Sequence, residues 1–306
     1  MPKKTVLIDL NHNEMLNINE EEFSEFLNLL ESLNLRIKTN ENKNLTDKLL
    51  QNIEILIIGN PIDEFFSTIE IKNITDFVRN GGNLLIISEY GADYLQKTNL
   101  NDISGKYFGI YFQKNIIKEY NKLNQNCSSI LRIQDFKKHK ITKQLRDIIL
   151  GGSCSFLLNQ NSEPLFFSKE SWIEVYNDFA KEWSKEEENQ PQIMAAYTEY
   201  GRGKVVALGD IDIFSNDSNI GLNRLDNRKF ILNIFIWFIE ETLNDNDVLG
   251  WVLNQLGGFQ SEIKQINHKI NNIIETTTIL EKRISSLEEN SHQKEPNKKI
   301  IEKELA

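Results

Sequence analysis

Cysteine and long apolar runs are scarce in this chain, and each scarcity excludes a class of protein. Cys127 and Cys154 are the two cysteines among 306 residues, too few for a disulfide framework or a cysteine-rich zinc site, so they favour a reducing, cytoplasmic compartment. The densest apolar run, residues 230–239, contains Asn233 and falls far short of the roughly 20 residues of a membrane span. No apolar signal segment follows Met1. The sequence therefore predicts no membrane insertion.

Positive charge is also in short supply. The chain has 35 lysines and arginines against 45 acidic residues, a formal net charge of -10. Broad binding to nucleic acid needs a basic face, so a nucleic-acid partner is not expected. With 40% hydrophobic residues the chain can bury a full core. Its richness in Asn, Lys and Ile is typical of an AT-rich genome and favours an archaeal or bacterial source.

The first two-thirds of the chain alternates apolar runs with amphipathic segments. Short β-branched and leucine-rich runs predict buried strands at residues 5–10, 54–58 and 84–88, and amphipathic spacing predicts helices at residues 20–34 and 69–80. An edge strand is expected at 36–39 and a short helix at 45–51. Buried strands separated by helices indicate βαβ units. The predicted fold is therefore α/β, with a doubly wound, mostly parallel sheet covered on both faces.

The pattern is looser in the middle of the chain. Strand candidates occur at residues 130–133, 154–158 and 164–167. Between Asn177 and Gln190, the acidic run 181–189 is expected to be a solvated loop. Strands at 193–198 and 204–208 and a helix at 223–241 then complete the α/β domain, which we expect to span residues 1–245.

A different period begins at Leu249. Apolar residues recur at alternating steps of three and four up to Leu287, and Thr277 is the one polar member. This spacing keeps an apolar seam on one side of a helix about 55 Å long and predicts a coiled coil over residues 246–290, followed by a disordered tail over 291–306. The alternative is a helix folded back on the domain. Because Gly257 and Gly258 interrupt the helix, the firmest part of the predicted oligomerisation seam is Ile263, Ile266, Ile270, Ile273, Leu280, Ile284 and Leu287.

A Gly81-Gly82 turn leads into the buried strand at 84–88, which ends at Glu89 and Tyr90. In open α/β sheets the turn after such a strand is where a nucleophile or a ligand lies. Neither Ser nor Cys stands there, which argues against acyl-transfer chemistry. Cys154 precedes a predicted strand instead of following one, so a buried core thiol is the first interpretation and a nucleophile with His139 as its base is the second.

Polar side chains follow three of the predicted parallel strands, and we call this set the acidic edge. If the strands are parallel and central, their following loops meet at one edge of the sheet. A histidine among carboxylates can hold a divalent cation or a polyhydroxylated ligand. The alternative is that Asp9 and Asp210 cap helices and bond backbone amides, with His12 as their partner. No resident metal or cofactor is predicted, and the candidate ligand-binding residues are Asp9, His12, Glu14, Glu89, Tyr90, Asp210 and Asp212.

Several motifs together suggest a family. They are Asp9-x-x-His12, Asn60-Pro61, Asp76-Phe77-Val78-x-x-Gly81-Gly82-x-Leu84-Leu85, His139-Lys140-Ile141-Thr142, and Tyr200-Gly201-x-Gly203-x-Val205-Val206-x-Leu208-Gly209-Asp210-x-Asp212-Ile213-Phe214. Over about residues 4–242 the chain resembles a class I glutamine amidotransferase-like domain. The resemblance is strongest to its non-catalytic branch, which includes the gliding-motility-type auxiliary component of ABC transporters and the amino-terminal domain of the 52-kDa intraflagellar-transport subunit.

In the catalytic amidotransferases the turn after this strand bears a cysteine with a histidine partner on a later strand. Glu89 and Tyr90 occupy that turn here. The resemblance therefore implies a flavodoxin-like sheet used for binding or assembly. Taken together, the sequence predicts a non-catalytic scaffold or adaptor that associates with itself, as a dimer or trimer, and with another protein. The alternative is a small-molecule, glycan or metal-binding domain, or a metal-assisted hydrolase, that uses the acidic edge.

Overall fold

A computed structural model describes residues 3–121, 126–159, 161–169, 171–187 and 190–240, with helical residues at 269–271, 273–274 and 276–278. The strands are β1 (Thr5–Ile8), β2 (Arg36–Thr39), β3 (Ile55–Gly59), β4 (Asn83–Ile87), β5 (Ile110–Phe112), β6 (Asn115–Asn121), β7 (Asn126–Ser128), β8 (Leu131–Ile133), β9 (Asp135–Phe136), β10 (Ile148–Leu150), β11 (Phe156–Leu158), β12 (Glu163–Phe167), β13 (Ser171–Asn177), β14 (Glu182–Glu187), β15 (Ile193–Tyr200) and β16 (Gly203–Leu208).

The helices are shorter than most of the sequence-based predictions by a few residues at each end. They are α1 (Ser24–Ser32), α2 (Asp47–Leu50), α3 (Thr68–Arg79), α4 (Ala92–Gln96), α5 (Ser104–Phe108) and α6 (Asn227–Ile239), with 3₁₀ turns at Glu21–Phe23, Leu100–Asp102 and Asp212–Phe214.

An eight-stranded sheet forms the centre of the fold, in the order β2-β1-β3-β4-β16-β15-β12-β9. Every neighbouring pair from β2 to β16 is parallel, and the pairs from β16 to β9 are antiparallel. All residues of β1, β3, β4 and β16 are buried, which requires cover on both faces. The prediction of an α/β fold with a mostly parallel central sheet is therefore confirmed.

Helices cover the two faces. On one face alternate strand residues pack with α2, α3 and α5 in a single buried cluster. Ser67 and Glu70 form a capping box at the start of α3, which fixes where this helix begins. In the other layer, Phe26 of α1 and Phe235 of α6 are fully buried, with ring centroids 6.0 Å apart.

One sequence-based prediction of secondary structure is wrong. The acidic run at 181–189, expected to be a solvated loop, contains β14, which pairs with β13 in a four-stranded sheet of order β14-β13-β6-β7. Its anchor is Trp183, whose ring packs edge-on against Tyr176 and Tyr90 at 5.5 and 6.1 Å. An aromatic pair across strands stabilises this ladder despite the surrounding charges.

The chain divides between residues 241 and 242 into two compact units. In the second unit Ile270 and Ile273 are helical and exposed by 46% and 65%. The other predicted seam residues, Ile263, Ile266, Leu280, Ile284 and Leu287, lie outside the described residues, as does the predicted tail. The coiled coil and the domain boundary at 245 stay predictions. Among the helices that are described, none has the length and apolarity to cross a bilayer.

Candidate functional site

Three loops that follow parallel strands carry the residues of the acidic edge. Asp9, His12 and Glu14 follow β1, Glu89 and Tyr90 follow β4, and Asp210 and Asp212 follow β16. Since these strands run parallel in one sheet, the loops open at the same edge, as the sequence predicted. The side chains form two clusters there, one around His12 and one around Glu89.

The first cluster is centred on His12, which is 3% exposed. Its Nδ1 is 2.7 Å from Oδ2 of Asp9, and its Nε2 is 3.3 Å from Oε1 of Glu70. Its ring lies 4.0 Å from that of Phe66. The imidazole is therefore held between two carboxylates and an aromatic ring, an arrangement that fixes its orientation.

Backbone and amide groups hold the carboxylates of this cluster. Asn40 donates from Nδ2 to Oδ1 of Asp9 at 2.6 Å, and the backbone N–H of His12 donates to Oε2 of Glu14 at 3.1 Å. Asn13 adopts a left-handed φ of 51°, a conformation that asparagine tolerates better than most residues, and this turn brings Glu14 back toward Asp9. No helix begins at Asp9, so its predicted role as a helix cap is wrong, whereas its bond to His12 was expected.

The ionisation of this cluster is unequal. Burial and the negative charge of Asp9 raise the pKa of Glu14 from 4.5 to about 10. Burial opposes the charge of Asp9, but hydrogen bonds with His12 and Glu14 outweigh it and lower the pKa of Asp9. Burial also opposes the charge of His12, but the bond to Asp9 and the charges of Asp9 and Glu70 raise its pKa. Near neutral pH, Asp9 is therefore ionised and Glu14 is neutral, and the protonated form of His12 is favoured relative to a free imidazole.

Glu14 also has an orphaned atom. Its Oε1 is buried, and no N–H or O–H group of the described residues donates to it. An ionised Glu14 would leave this acceptor unsatisfied, at a cost of about 1–3 kcal/mol or more. When protonated, the carboxyl can donate a hydrogen bond to Asp9 instead. The buried surroundings of Glu14 therefore account both for its raised pKa and for the lack of a donor to its Oε1.

The second cluster lies between the ends of β4 and β16. Glu89 is 4% exposed and accepts backbone hydrogen bonds from Tyr90 at 3.0 Å and Ile211 at 3.1 Å. Asp210 is 1% exposed and accepts from the backbone of Gly151 at 2.9 Å and Asp212 at 3.0 Å. Each of these carboxyl groups thus ties one loop to another.

Burial dominates the electrostatics of this cluster too. Burial and the charge of Asp210 raise the pKa of Glu89 well above its usual range. Burial and the charge of Asp212 raise the pKa of Asp210 to about 7. Burial and the charges of Glu22 and Asp217 raise the pKa of Asp212. The neutral form of Glu89, which can donate a hydrogen bond as well as accept one, is therefore favoured relative to that of a free carboxyl group.

A small cleft of about 280 Å³ lies at this edge. Its lining includes Glu14 from the first cluster and Asp212 from the second, so it joins the two. Asp9, His12, Glu89 and Asp210 are not among the residues that line it. The remaining lining residues are Asn13, Met15, Glu20, Glu22, Phe23, Ile62 and Ile211. Glu20 and Glu22 were not among the sequence-based candidates, although the acidic first turn before α1 is visible in the sequence.

The turn after β4 is closed by the loop that contains Cys154. A Cβ on Gly152 would lie 3.3 Å from both Oε1 of Glu89 and Cδ1 of Tyr90, so this glycine allows the loop to approach. Cys154 is fully buried, and burial and the charge of Glu89 raise the pKa of its thiol well above its usual range. It precedes β11, as predicted. A buried thiol with a raised pKa is a poor nucleophile.

Asn40, Phe66 and Glu70 complete the environment of His12, and none of them is among the sequence-based candidates. A signal exists for Glu70 alone, because Ser67-x-x-Glu70 before an apolar run is a readable capping box. Nothing local in the sequence shows that Glu70 also reaches His12, since the contact joins α3 to the loop after β1.

Comparisons with known proteins give a family match over part of the chain and a shared fold. Residues 5–131 match the model of the family described as the IFT52 GIFT domain. The solved mmIFT52 N-terminal domain is 16% identical, with 79% of this chain and 100% of that chain covered and a TM-score of 0.64. A cytoplasmic protein from Salmonella typhimurium is 10% identical, with 76% and 98% covered and a TM-score of 0.50. No curated protein matches the chain by sequence. At these identities the structural matches show a shared fold.

Proposed function

We propose that this chain is a non-catalytic scaffold or adaptor of the intraflagellar-transport type. The single observation that carries the proposal is the IFT52 GIFT family match over residues 5–131, together with the fold shared over the whole solved IFT52 N-terminal domain. Its partners are then other intraflagellar-transport proteins, and its location is cytoplasmic or ciliary. This proposal favours a eukaryotic origin over the archaeal or bacterial source suggested by composition.

The chemistry of the site supports a role without catalysis. Glu89 and Tyr90 occupy the turn where the amidotransferase-like fold carries its nucleophile, and Cys154 is buried with a raised pKa. The strand order β2-β1-β3-β4-β16 is that of flavodoxin-like sheets and supports the amidotransferase-like relationship. We accordingly expect the full chain to show no glutaminase or esterase turnover. A measured turnover that is abolished in Cys154→Ala would overturn this.

The scaffold is completed by self-association through the helical seam. Ile270 and Ile273 are exposed on a helix, and burying each such side chain gains about 1.5–3 kcal/mol. A helix that carries such residues at every third or fourth position gains most of this energy when another helix covers it. The proposal is therefore a parallel dimer or trimer in which residues 263–287 form the contact.

Light scattering on the full chain at micromolar concentration tests this assembly. We expect an oligomer, and we expect Ile270→Asp/Ile273→Asp to be monomeric because it would bury charges in the seam. The matched control is Lys269→Asp/Asn271→Asp, which changes two exposed neighbours on the same helix and should leave the oligomer intact. A monomeric full chain, or an oligomer that survives the seam substitutions, would contradict seam-mediated self-association.

A second candidate function is divalent-cation binding by Asp9, His12 and Glu14. One ligand atom from each lies within 4.8 Å of the others, and the orphaned Oε1 of Glu14 is the observation that favours it. Carboxylate oxygen and imidazole nitrogen suit Zn²⁺ or Mn²⁺. If this site is real, either ion raises the melting temperature of the full chain and has no effect on Glu14→Gln. An equal response of both proteins, or none, would remove the candidate.

A further inference from the structure

A cavity of about 780 Å³ lies at the end of the main sheet opposite to the acidic edge. It is formed where β16 begins, by β9, residues 137–144, the end of β15 and Trp237 of α6. Lys204 at its wall and Asp210 in the acidic edge are separated by β16, a distance of roughly 20 Å along an extended strand. This volume lies within the range of small-molecule sites, about 300–1,000 Å³.

The lining of this cavity has the opposite charge to the chain as a whole. It contains five lysines, Lys137, Lys138, Lys140, Lys143 and Lys204, against one acidic side chain, Glu199. The chain carries a net charge of -10. Glu240 pairs with Lys140, with its Oε2 2.7 Å from the Nζ. The other four ammonium groups outnumber the carboxylate of Glu199 and form a local positive field, which attracts anions. We call this cavity the basic pocket.

The backbone of the basic pocket is held in place by the rest of the domain. Asn233 of α6 donates from Nδ2 to the carbonyl oxygens of Ile141 and Lys143 at 3.0 and 3.2 Å. Lys229 donates to the carbonyl of Gln144 at 2.7 Å. Ile141 is fully buried beneath the loop. The loop is thus fixed from below, while the side chains of Lys138 and Lys143 remain exposed to solvent.

Aromatic side chains form one wall of the basic pocket. His139 stacks on Tyr197 with ring centroids 4.0 Å apart and meets Trp237 edge-on at 5.1 Å. The backbone N–H of Ile141 donates to Nδ1 of His139 at 3.2 Å, which leaves Nε2 to carry the proton of the neutral ring. The amine of Lys204 donates to the carbonyl of Trp237 at 2.8 Å and lies 5.0 Å from its ring centre.

We propose that the basic pocket binds a small molecule that carries two or more phosphate groups. Several lysines around one cavity suit a multiply charged anion, because each ammonium presents three donors and phosphate offers several acceptor oxygens. Trp237 and Phe136 provide an apolar wall for the remainder of the ligand. Such a phosphate ester can be a soluble nucleotide or inositol phosphate, or the headgroup of a phosphoinositide, and the pocket chemistry is the same for both.

His139 provides an internal reporter for this site. Burial and the charges of Lys140 and Lys204 lower its pKa. A bound polyanion would oppose these cationic charges, so it would raise the pKa of His139. The signal of this imidazole in an NMR titration therefore distinguishes binding in the pocket from binding elsewhere on the surface.

The test is calorimetry on the full chain at physiological ionic strength with ATP and with inositol hexakisphosphate, alongside flotation with phosphatidylcholine vesicles that contain or lack phosphatidylinositol 4,5-bisphosphate. The pocket variant is Lys138→Glu/Lys143→Glu. The control is Lys38→Glu/Lys48→Glu, which makes the same change in net charge at exposed positions of β2 and α2. We expect at least one probe to bind, with affinity about tenfold or more weaker in the pocket variant and nearly unchanged in the control.

The probes separate the two sources of phosphate. Binding of ATP or inositol hexakisphosphate, with a raised His139 pKa, supports a soluble ligand. Binding to the phosphoinositide vesicles alone supports a lipid headgroup. The proposal is overturned if no probe binds, if both variants weaken binding equally, or if His139 does not respond to a probe that binds. None of these outcomes depends on the scaffold assignment.

Discussion

The acidic edge and the basic pocket lie at opposite ends of β16 and hold charge in different ways. In the acidic edge, Asp9, Glu89 and Asp210 are at most 4% exposed, and protein groups occupy their oxygens. In the basic pocket, the side chains of Lys138 and Lys143 are exposed around a cavity of about 780 Å³. The carboxyl oxygens of these three residues of the acidic edge therefore already have hydrogen-bond partners within the fold. The exposed ammonium groups of the basic pocket can still contact a ligand.

This difference shows what a cluster of charges at a strand end does and does not imply. The carboxyl groups after β1, β4 and β16 have the pattern of a ligand site, yet their hydrogen bonds tie loops together. Glu89 joins the loop after β4 to Ile211, and Asp210 joins the loop after β16 to Gly151. A polar group that is buried and hydrogen-bonded within the protein stabilises the fold and is not free to bind a ligand. Exposure around a cavity is the better indicator of binding.

Among the substitutions that test this difference, Asp9→Ala should change the free energy of unfolding most. The substitution leaves His12 without its closest charged partner and removes one of the two acceptors of the Asn40 amide, both in a buried setting. We expect the free energy of unfolding to fall by about 3–5 kcal/mol. Urea denaturation measures this change. A loss below about 1 kcal/mol would show that the acidic edge is not needed for the fold.

Glu14→Gln should have a smaller effect of opposite sign. Glu14 has its pKa raised from 4.5 to about 10, so an unfolded chain loses this proton near pH 4.5 while the folded chain keeps it. Stability from this group therefore declines as pH rises from 4.5 toward 10. Glutamine cannot ionise and can donate to Asp9. We expect the variant to be more stable by on the order of 3 kcal/mol near pH 7 and equal near pH 4.

Denaturant unfolding at several pH values checks this second effect. The wild-type curve should slope downward between pH 5 and pH 9 relative to that of the variant. If Glu14→Gln is instead less stable near pH 7, the side chain is ionised in the native protein and the cation-site candidate gains support.

Cys154 should be unreactive in the native protein. Its thiol is fully buried with a raised pKa, so a thiol reagent reaches it through unfolding. In a Cys127→Ser background, which isolates this thiol, labelling should be slower than for a free cysteine by on the order of 100-fold or more. Reactivity should return in denaturant. Rapid labelling of the folded protein would place Cys154 at an accessible site.

The smallest effect is expected from Lys138→Ala/Lys143→Ala. Neither ammonium group has a hydrogen bond or ion pair within the described residues, so the fold should not depend on them. We expect the free energy of unfolding to change by less than about 0.5 kcal/mol. A loss comparable to that of Asp9→Ala would mean that the two ends of β16 do not differ in the way described, and that the basic pocket is part of the structural core.

The parallel half of the sheet could be predicted from the sequence because those strands are buried on both faces. Continuous apolar runs such as Ile55–Gly59 and residues 205–208 leave little alternative. Sequence reasoning missed β14 because this strand is charged over most of its length and is anchored by Trp183, which contacts Tyr176 across the hairpin and Tyr90, a residue distant in sequence. Local pattern does not report a contact of that kind.

The sequence predicted where the candidate site lies in the sheet, but it did not predict the ionisation of its carboxyl groups. The residues after β1, β4 and β16 follow from strand order alone. The burial that raises the pKa of Glu14 and of Glu89 depends on loops from elsewhere in the chain, such as the one that places Gly152 against Glu89. The run Lys137-Lys138-His139-Lys140 was visible in the sequence, but the cavity it surrounds requires Trp237 and Lys204. Cavities arise from tertiary packing, which a linear pattern does not contain.

The scaffold assignment is tested most directly by capture of the tagged full chain from the cells that express it, with the bound proteins identified by quantitative mass spectrometry. Ile270→Asp/Ile273→Asp and the control Lys269→Asp/Asn271→Asp are captured in parallel. We predict that intraflagellar-transport proteins are enriched with the wild type and with the control, and reduced with the seam variant if self-association supports assembly. Absence of intraflagellar-transport proteins from the wild-type capture, with the chain folded and expressed, would contradict the assignment.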